Sequence, residues 1–348
     1  MKLTRDVFLD TQVFETNNFD LDRTAFKEVI SKVKADRIKV LTTSITVREV
    51  KKRIWKRVKE ASNTIDKFRK DLRILANSGD PTISSHANRL NEKAAMQELT
   101  KQFEAFLKES RAEVLDCDDI NPELVFEKYF KVELPFEHRE EKQREFPDAF
   151  AIEVLKRHAK DEHSDVTCVS GDNGFRGAAK KAGMPVFQTV EQFLDAEIRE
   201  WDAKITDHVL ECYTRNMDSI IDQIKSDFQN SAFTLLDVDG EVTDVTVTDV
   251  SIDDEPLIVR IHNDSAVLET QVTMSFDAKL VYDDPDATVY DKEDGRTYVF
   301  NTVRETMEQT AEFPLEVTVE FDPSDDSFND ISIGRLNEGN DFEVRSSY

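Results

Sequence analysis

The segment REFPDAFAIEVL, residues 144–155, places one carboxylate at the start of an otherwise apolar helix. Pro147 suits a first helical position, where a backbone N–H would have no partner within the helix. Asp148 follows it, and apolar residues then face almost every side, which predicts a helix buried beside a sheet. An aspartate in a first turn can simply stabilise the helix dipole. The alternative is that Asp148 belongs to a group of acids that the fold brings together.

Two further acids each follow a short apolar strand. Asp10 ends VFLD, residues 7–10, and Asp172 ends DVTCVSGD, residues 165–172. Ligands of an open parallel sheet bind at the edge formed by the carboxyl ends of its strands. Both side chains are therefore expected at that edge, although each could instead be an ordinary turn residue.

Glu49 is the fourth candidate acid. A second strand is predicted at IKVLT, residues 38–42, and the helix TSITVREVKKRIWKRV, residues 43–58, begins directly after it. Glu49 lies in the first or second turn of that helix, close to the same predicted sheet edge. Its basic neighbours Arg48 and Lys52 offer the alternative of a plain surface ion pair.

The alternation of strands and helices before residue 190 predicts an α/β fold with a parallel sheet. Long helical patterns form an insertion at about residues 60–112. From about residue 231 the hydrophobicity alternates with period two, and turn signals such as DDPD and KEDG separate the segments. This pattern predicts an all-β, antiparallel, sandwich-like domain. The expected division is an α/β domain at 1–195, a helical connector at 196–230 and a β domain at 231–348.

Charge is distributed unevenly between these parts. The 348 residues carry a net charge of −26, and residues 231–348 hold 29 Asp and Glu against 7 Lys and Arg. Residues 37–73 have the opposite bias, with 13 Lys and Arg against 4 Asp and Glu. The acidic total therefore does not exclude a polyanionic substrate at the N-terminal part.

The sequence gives no sign of a membrane or of secretion. No stretch approaches the roughly 20 apolar residues of a membrane span. The first residues, MKLTRDVFLD, lack an apolar signal region, and the 3 cysteines are too few and too scattered for a disulfide framework or a Cys-based zinc site. We therefore expect a cytoplasmic protein without a membrane partner.

Four carboxylates in one partly buried pocket would repel each other, and their pKa values would rise without a counter-charge. A hard divalent cation removes that conflict. Carboxylate oxygens and water suit Mg²⁺ or Mn²⁺, and ions held in this way support hydrolysis of phosphodiester bonds. The predicted cofactor is therefore Mg²⁺ or Mn²⁺.

This set of acids resembles the PIN-domain nuclease family, in particular its large branch with a long helical insertion. The matching pieces are VFLDT (7–11), TSITVREV (43–50), EFPDAFAIEVL (145–155) and VSGDNGF (169–175). The resemblance covers roughly residues 5–190. It implies a three-layer α/β/α domain with a central parallel sheet, and it implies metal-dependent cleavage of RNA, or of structured DNA in some relatives. It also implies that the metal-binding catalytic acids are Asp10, Glu49, Asp148 and Asp172.

Further residues are predicted to act on the substrate. By the resemblance, Ser170 occupies a position that commonly holds a small hydroxyl residue. Asn173 stands where a second acid is often found, which leaves open whether one or two ions bind. Lys52 and Arg53 on the basic helix could hold phosphates. The segment that precedes Asp148 contains two basic residues, Lys142 and Arg144. These could neutralise the charge of the phosphate that is cleaved.

The sequence thus predicts a metal-dependent endoribonuclease. The alternatives are a nuclease for single-stranded or structured DNA, and an inactive PIN scaffold that binds nucleic acid or a protein. RNA, or possibly DNA, is the expected partner of the N-terminal part. The acidic β domain would repel phosphates, so it is expected to form a homo-oligomer, to contact another protein, or to mask the basic helices.

Overall fold

The computed structural model describes residues 5–71, 90–136, 145–201, 203–262, 264–291, 296–321 and 328–348. Lys142, Arg144 and residues 72–89 of the predicted insertion lie outside these ranges. The chain divides into two compact units, Met1–Glu197 and Ile198–Tyr348. Within the described ranges, no helix is long and apolar enough to cross a membrane.

The first unit is built on a parallel sheet of five strands in the order β3-β2-β1-β4-β5. Its strands are β1 (Asp6–Leu9), β2 (Lys39–Thr43), β3 (Glu113–Leu115), β4 (Val166–Val169) and β5 (Val186–Phe187). Its helices are α1 (Thr11–Thr16), α2 (Thr24–Lys34), α3 (Ser44–Asp71), α4 (Glu92–Glu109), α5 (Pro122–Lys131), α6 (Phe146–Asp161), α7 (Asn173–Lys181) and α8 (Val190–Trp201).

The central strand β1 lies in the interior of the first unit. Its sequence DVFL is buried along its whole length, as expected for a strand with helices on both faces. Phe8 stacks on Phe175 of α7, with ring centroids 5.5 Å apart. On the same side, Ile152 and Leu155 of α6 complete an apolar cluster. The predicted α/β class with a central parallel sheet is confirmed.

Two elements of the first unit have no counterpart in the sequence prediction. The short helix α1 begins immediately after β1, and α5 precedes the segment that leads to α6. The helix predicted at 43–58 continues without a break to Asp71.

The second unit contains the predicted antiparallel strands. Four strands pair in the order β13-β12-β9-β7, and β8 also pairs with β9. The strands are β6 (Phe233–Leu235), β7 (Gly240–Ile252), β8 (Leu257–Ile261), β9 (Ser265–Asp283), β10 (Thr288–Asp291), β11 (Arg296–Val299), β12 (Thr302–Phe321), β13 (Phe328–Ile333) and β14 (Phe342–Val344).

One face of this sheet is apolar because every second residue of β9 is buried. Met274 and Phe276 on that face pack in one core with Ile224 and Phe228. The latter two lie on α10 (Met217–Gln229), which follows α9 (Ala203–Arg215). Helices of the 196–230 segment thus form part of the hydrophobic core of the second unit.

The opposite face of the sheet is polar and acidic. Asp277 of β9 lies directly across from Glu308 of β12, and Glu269 lies across from Glu316. Like charges in directly opposed positions of an antiparallel pair are destabilising. The excess negative charge of residues 231–348 is therefore concentrated in part on one sheet face.

A buried ion network connects α2 to α8 in the first unit. The Lys32 ammonium lies 2.8 Å from Oε2 of Glu197 and 3.6 Å from Oε1 of Glu28. All three side chains are less than 10% exposed, at 8%, 5% and 7% in that order. Arg37 also contacts Glu197, at 2.6 Å. Removal of one member of such a network leaves a buried charge without full compensation.

We expect Lys32→Met to lower the free energy of unfolding by about 3 kcal/mol or more, because two buried carboxylates lose their ammonium partner. Lys34→Met is the matched control, since Lys34 lies on the same helix and is exposed; it should change stability by less than about 0.5 kcal/mol. Denaturant unfolding followed by circular dichroism measures both. Equal effects of the two substitutions would contradict the prediction.

Candidate active site

The pairing of β1 with β4 brings Asp10 and Ser170 together. The two strands run parallel with Leu9 opposite Val169, and the Asp10 N–H donates to the carbonyl of Val169 at 3.0 Å. Just past the strand ends, the Ser170 hydroxyl donates to Oδ2 of Asp10 at 2.7 Å. Ser170 is fully buried and Asp10 is 6% exposed, so this contact is shielded from water.

Asp10 also begins the helix that follows its strand. Its Oδ1 accepts a hydrogen bond from the Thr11 N–H at 2.7 Å, which makes Asp10 the N-cap of α1. Both carboxylate oxygens of Asp10 are therefore held by donors of the chain. Because the positive end of a helix dipole favours negative charge, this position suits an ionised carboxylate.

Asp172 has the same double role at the end of β4. Its Oδ1 accepts from the Phe175 N–H at 2.8 Å and caps the N-terminus of α7. Its own N–H donates to Oγ of Ser170 at 3.0 Å. Ser170 therefore links Asp10 and Asp172 through one hydroxyl group.

Glu49 reaches the same place from α3. That helix begins directly after β2, where Oγ1 of Thr43 accepts from the Thr46 N–H at 3.0 Å. The Thr11 hydroxyl donates to Oε2 of Glu49 at 3.3 Å. Thr11 thus contacts two of the acids, through its N–H to Asp10 and through its hydroxyl to Glu49.

Asp148 lies in the first turn of α6, with Pro147 before it. The helix faces that follow are buried, with Ala149 and Ile152 in the core. This packing fixes the start of α6 against the sheet. The side chain of Asp148 hydrogen-bonds with that of Glu145, the residue at the N-cap position.

These elements enclose one cavity of about 540 Å³ that is open to solvent. All four predicted acids line it, and they come from four separate elements. The described residues that line the cavity are Asp10, Thr11, Gln12, Glu15, Thr16, Glu49, Arg53, Arg57, Glu145, Pro147, Asp148 and Asp172.

Burial and mutual repulsion perturb the acids of the cavity. The pKa of Asp10 is raised to about 6, chiefly because burial removes the carboxylate from water. Hydrogen bonds from Ser170 and Thr11 lower this pKa, and the charges of Glu49 and Asp172 raise it. Burial also raises the pKa of Glu49. The cavity is therefore unfavourable for several ionised carboxylates at once.

The strongest effect falls on Asp148, whose pKa is raised to about 10. Burial is again the main cause, followed by the charge of Asp10, the hydrogen bond with Glu145 and the charges of Glu145 and Glu49. A protonated Asp148 that donates to Glu145 is the form that these contacts favour in the absence of a cation.

The donor set fits a hard divalent cation. Carboxylate oxygens are the ligands that Mg²⁺ and Mn²⁺ prefer. A cation would offset both the burial and the repulsion that raise the pKa values of Asp10 and Asp148. Within the described ranges, no three His, Cys, Asp or Glu side chains are already arranged around one metal position.

The predicted substrate-binding residues have different positions. Arg53 lines the cavity, whereas Lys52 and Asn173 are not among its described lining residues. Asn173 accepts a hydrogen bond from Arg176 through its side-chain oxygen. Ser170 lies behind Asp10, as described above. Lys142 and Arg144 lie outside the described residues.

Arg57 also lines the cavity, and it belongs to the basic helix for which the sequence predicts contacts with phosphates. Glu49, Arg53 and Arg57 recur at intervals of four on that helix, and residues with this spacing share a face. Five other polar residues of the cavity were not predicted from the sequence, namely Thr11, Gln12, Glu15, Thr16 and Glu145. Their positions depend on how α1 and the start of α6 pack, which no local pattern reveals.

Comparison with protein families gives a match. The family model described as PIN domain matches residues 7–175, a range that contains all four acids, β1 from its second residue onward, and the strands β2 to β4. Neither the curated proteins nor the solved structures gave a match. Family match and fold agree on the N-terminal unit, whose residues 7–175 match the PIN-domain family.

Proposed function

We propose that the chain is a metal-dependent endoribonuclease that hydrolyses phosphodiester bonds of RNA. The catalytic part is residues 1–195, followed by a helical connector at 196–230 and an acidic β domain at 231–348. Asp10, Glu49, Asp148 and Asp172 are the proposed catalytic acids. PIN domains are generally nucleases that use divalent metals, and RNA is the finer assignment made here.

One observation carries the proposal: carboxylates from four separate elements line the same cavity. A structural role alone gives no reason to gather them. The raised pKa values of Asp10 and Asp148, caused by burial and by the neighbouring acids, show that this arrangement disfavours ionised carboxylates without a cation. Perturbed acids in a cleft are typical of catalytic sites.

The chain's own residues would prepare the site in three ways. Ser170 and Thr11 fix the orientation of the Asp10 carboxylate. Thr11 also restrains Glu49. Asp148, set on the rigid start of α6, would release the proton that it shares with Glu145 when positive charge enters the cavity. Mg²⁺ or Mn²⁺ held there would activate a water molecule and stabilise the charge that develops on the leaving oxygen.

Positive residues around the cavity would balance the charge of the nucleic acid. Arg53 lies at the cavity and is proposed to bind substrate. The same role is proposed for Lys52, which lies exposed on the same helix, and for Lys142, Arg144, Ser170 and Asn173.

The setting of the enzyme and the role of the β domain are proposals of the same kind. The three cysteines are free thiols, which suits a reducing cytoplasm. The acidic face of the β9 and β12 strands would repel phosphates, so the second unit is assigned to self-association or to contact with a protein.

Two other functions remain distinct alternatives. A DNA nuclease would use the same acids on single-stranded or structured DNA. A PIN scaffold would bind nucleic acid or a protein without hydrolysis. Neither alternative accounts better than RNA cleavage for the perturbed acids, and the assays below separate the three.

Stability of the metal-free protein should depend on pH through Asp148. Between its ordinary value of 3.8 and its folded-state pKa of about 10, the folded protein keeps a proton that the unfolded chain releases. The contribution of this group to stability is therefore complete at low pH and falls as the pH rises. Relative to wild type, Asp148→Asn should become more stable from pH 5 to pH 8, by up to about 1.4 kcal/mol per pH unit.

The measurement is urea unfolding in EDTA at several pH values. Asp161→Asn is the matched control, because Asp161 lies exposed at the other end of the same helix. The control should keep a constant difference from wild type. A constant difference for Asp148→Asn as well would remove the case for a strained carboxyl group in the cavity.

Divalent cations should stabilise the wild-type protein. A ligand that binds only the folded state raises its stability, so Mg²⁺ or Mn²⁺ should raise the Tm at pH 8 above that in NaCl of equal ionic strength. The Asp10→Asn/Asp172→Asn variant should show a much smaller rise. Equal shifts in both proteins would count against a cation site at these acids.

Hydrolysis is tested with labelled single-stranded RNA, single-stranded DNA and flap DNA, in Mg²⁺, Mn²⁺ or EDTA. Wild type should cleave RNA only with a cation, and Asp10→Asn/Asp172→Asn should be slower by at least about 100-fold. Asn also accepts an N-cap hydrogen bond, so this variant should retain both helix caps. Asp20→Asn/Asp161→Asn, at two exposed positions, is the control for the change in charge.

Each result points to one function. Cleavage of DNA but not RNA selects the DNA nuclease. Binding that needs no cation, without cleavage of any strand, selects the scaffold. Cleavage that persists in the double Asn variant overturns the assignment of the acids.

A further inference from the structure

The cavity contains a second charged group beside the four acids, made of Glu15, Arg53 and Arg57. Oε1 of Glu15 lies 3.0 Å from Nε of Arg57, and Oε2 lies 3.5 Å from Nε of Arg53. Each oxygen of one carboxylate thus faces one guanidinium group. We call these three residues the arginine clamp.

The clamp is tied to the acids through two helices. Arg53 and Arg57 follow Glu49 at intervals of four on α3, so the three side chains share one helix face. Glu15 lies on α1, the helix that Asp10 caps. The clamp and the acids therefore share one cavity and two helices, α1 and α3.

The arginines remain available to a ligand. Their side chains are 47% and 59% exposed, whereas that of Glu15 is only 17% exposed. A guanidinium group has five N–H donors in a planar fork, and the shortest contact of Glu15 with each arginine is at Nε. The outer nitrogens can bind the two oxygens of a phosphate, as arginine commonly does. Arg57 also lies 3.5 Å from Glu60 through Nη1, a contact at the exposed side of the helix.

Repulsion between the acids and a polynucleotide creates a need for positive charge in the cavity. A polynucleotide that enters an acidic cavity is repelled along its whole backbone, and a cation at the acids offsets the charge at only one phosphate. Positive charge is needed for the next phosphate along the strand. Arg53 and Arg57 supply two positive charges in the same cavity, against the single negative charge of Glu15.

We propose that Arg53 and Arg57 bind the phosphate next to the phosphodiester that is hydrolysed, and that Glu15 is a positioning residue that orients their guanidinium groups. The inference rests on the proposed nuclease function and deepens it. It defines the substrate as a continuous strand with at least two neighbouring phosphates.

Binding measurements test the clamp without hydrolysis. Fluorescence anisotropy with labelled oligo-U and oligo-dT in Mg²⁺, in the full-length Asp10→Asn/Asp172→Asn background, gives affinity as a function of salt. Arg57→Ala should weaken binding of the preferred strand several-fold. It should also reduce the magnitude of the log–log salt slope by about 0.7, the value for one phosphate contact in a single strand.

Lys56→Ala is the matched control. Lys56 precedes Arg57 on α3, has the same 59% side-chain exposure and also lies near Glu60, yet it is not among the described residues that line the cavity. Affinity and salt slope should stay unchanged in this variant. Both substitutions place Ala in an exposed helix, where it is the best helix former, so both proteins should fold.

The Glu15→Gln variant distinguishes two effects of Glu15 on binding: orientation of the arginines and repulsion of the substrate by its negative charge. Loss of a negative charge alone would tighten binding of a polyanion. If Glu15 orients the arginines, the same substitution weakens binding and lowers the salt slope. Tighter binding by Glu15→Gln overturns the positioning role.

The two proposals fail in different ways. If wild type cleaves a strand in the hydrolysis assay but Arg57→Ala and Lys56→Ala bind alike, the clamp is wrong and the nuclease stands. If wild type cleaves nothing, the proposed function fails, whatever the binding data show. Preference for oligo-U over oligo-dT would support RNA as the bound strand, and the reverse preference would support DNA.

Discussion

Parallel pairing of β1 with both of its neighbours is the constraint on which the N-terminal unit depends. Because β1 lies between β2 and β4, three chain segments leave the sheet at the same edge. Thr43 is the last residue of β2, and Asp10 and Ser170 are the first residues after β1 and β4. A buried β1 is possible only with helices on both faces, and those helices carry Glu49 and Asp148 to the edge.

Much of this fold could be predicted from the sequence because its signals are local. Apolar runs that end in an acid gave β1 and β4, and the period of 3.6 gave α2 and α3. Helix α1 could not be found in this way, because six residues are too few for a helical period. In the second unit, period-two alternation predicted strands, but it could not predict that α10 would pack against β9.

For the candidate site, too, some features could be predicted from the sequence and others could not. The rule that ligands bind at the carboxyl edge of a parallel sheet was sufficient to group the four acids. The contacts that tune them were not predictable, since the link from Thr11 to Glu49 joins residues 38 positions apart. Asn173 lies at the start of α7, where its side-chain oxygen accepts a hydrogen bond from Arg176 one turn later, a contact that its place in the sequence did not reveal.

Two of the acids stabilise the fold by capping helices, whether or not the site is catalytic. Asp10 caps α1 and Asp172 caps α7, and loss of a cap typically costs about 1 kcal/mol. A descendant that had lost hydrolysis would therefore still be under selection to keep these two aspartates. Asp148 and Glu49 do not cap a helix, and burial disfavours their charge. In such a descendant, these two acids would be substituted before Asp10 and Asp172. Under the proposed nuclease function, positions 148 and 49 are therefore the ones expected to distinguish a working enzyme from a pseudoenzyme among related sequences.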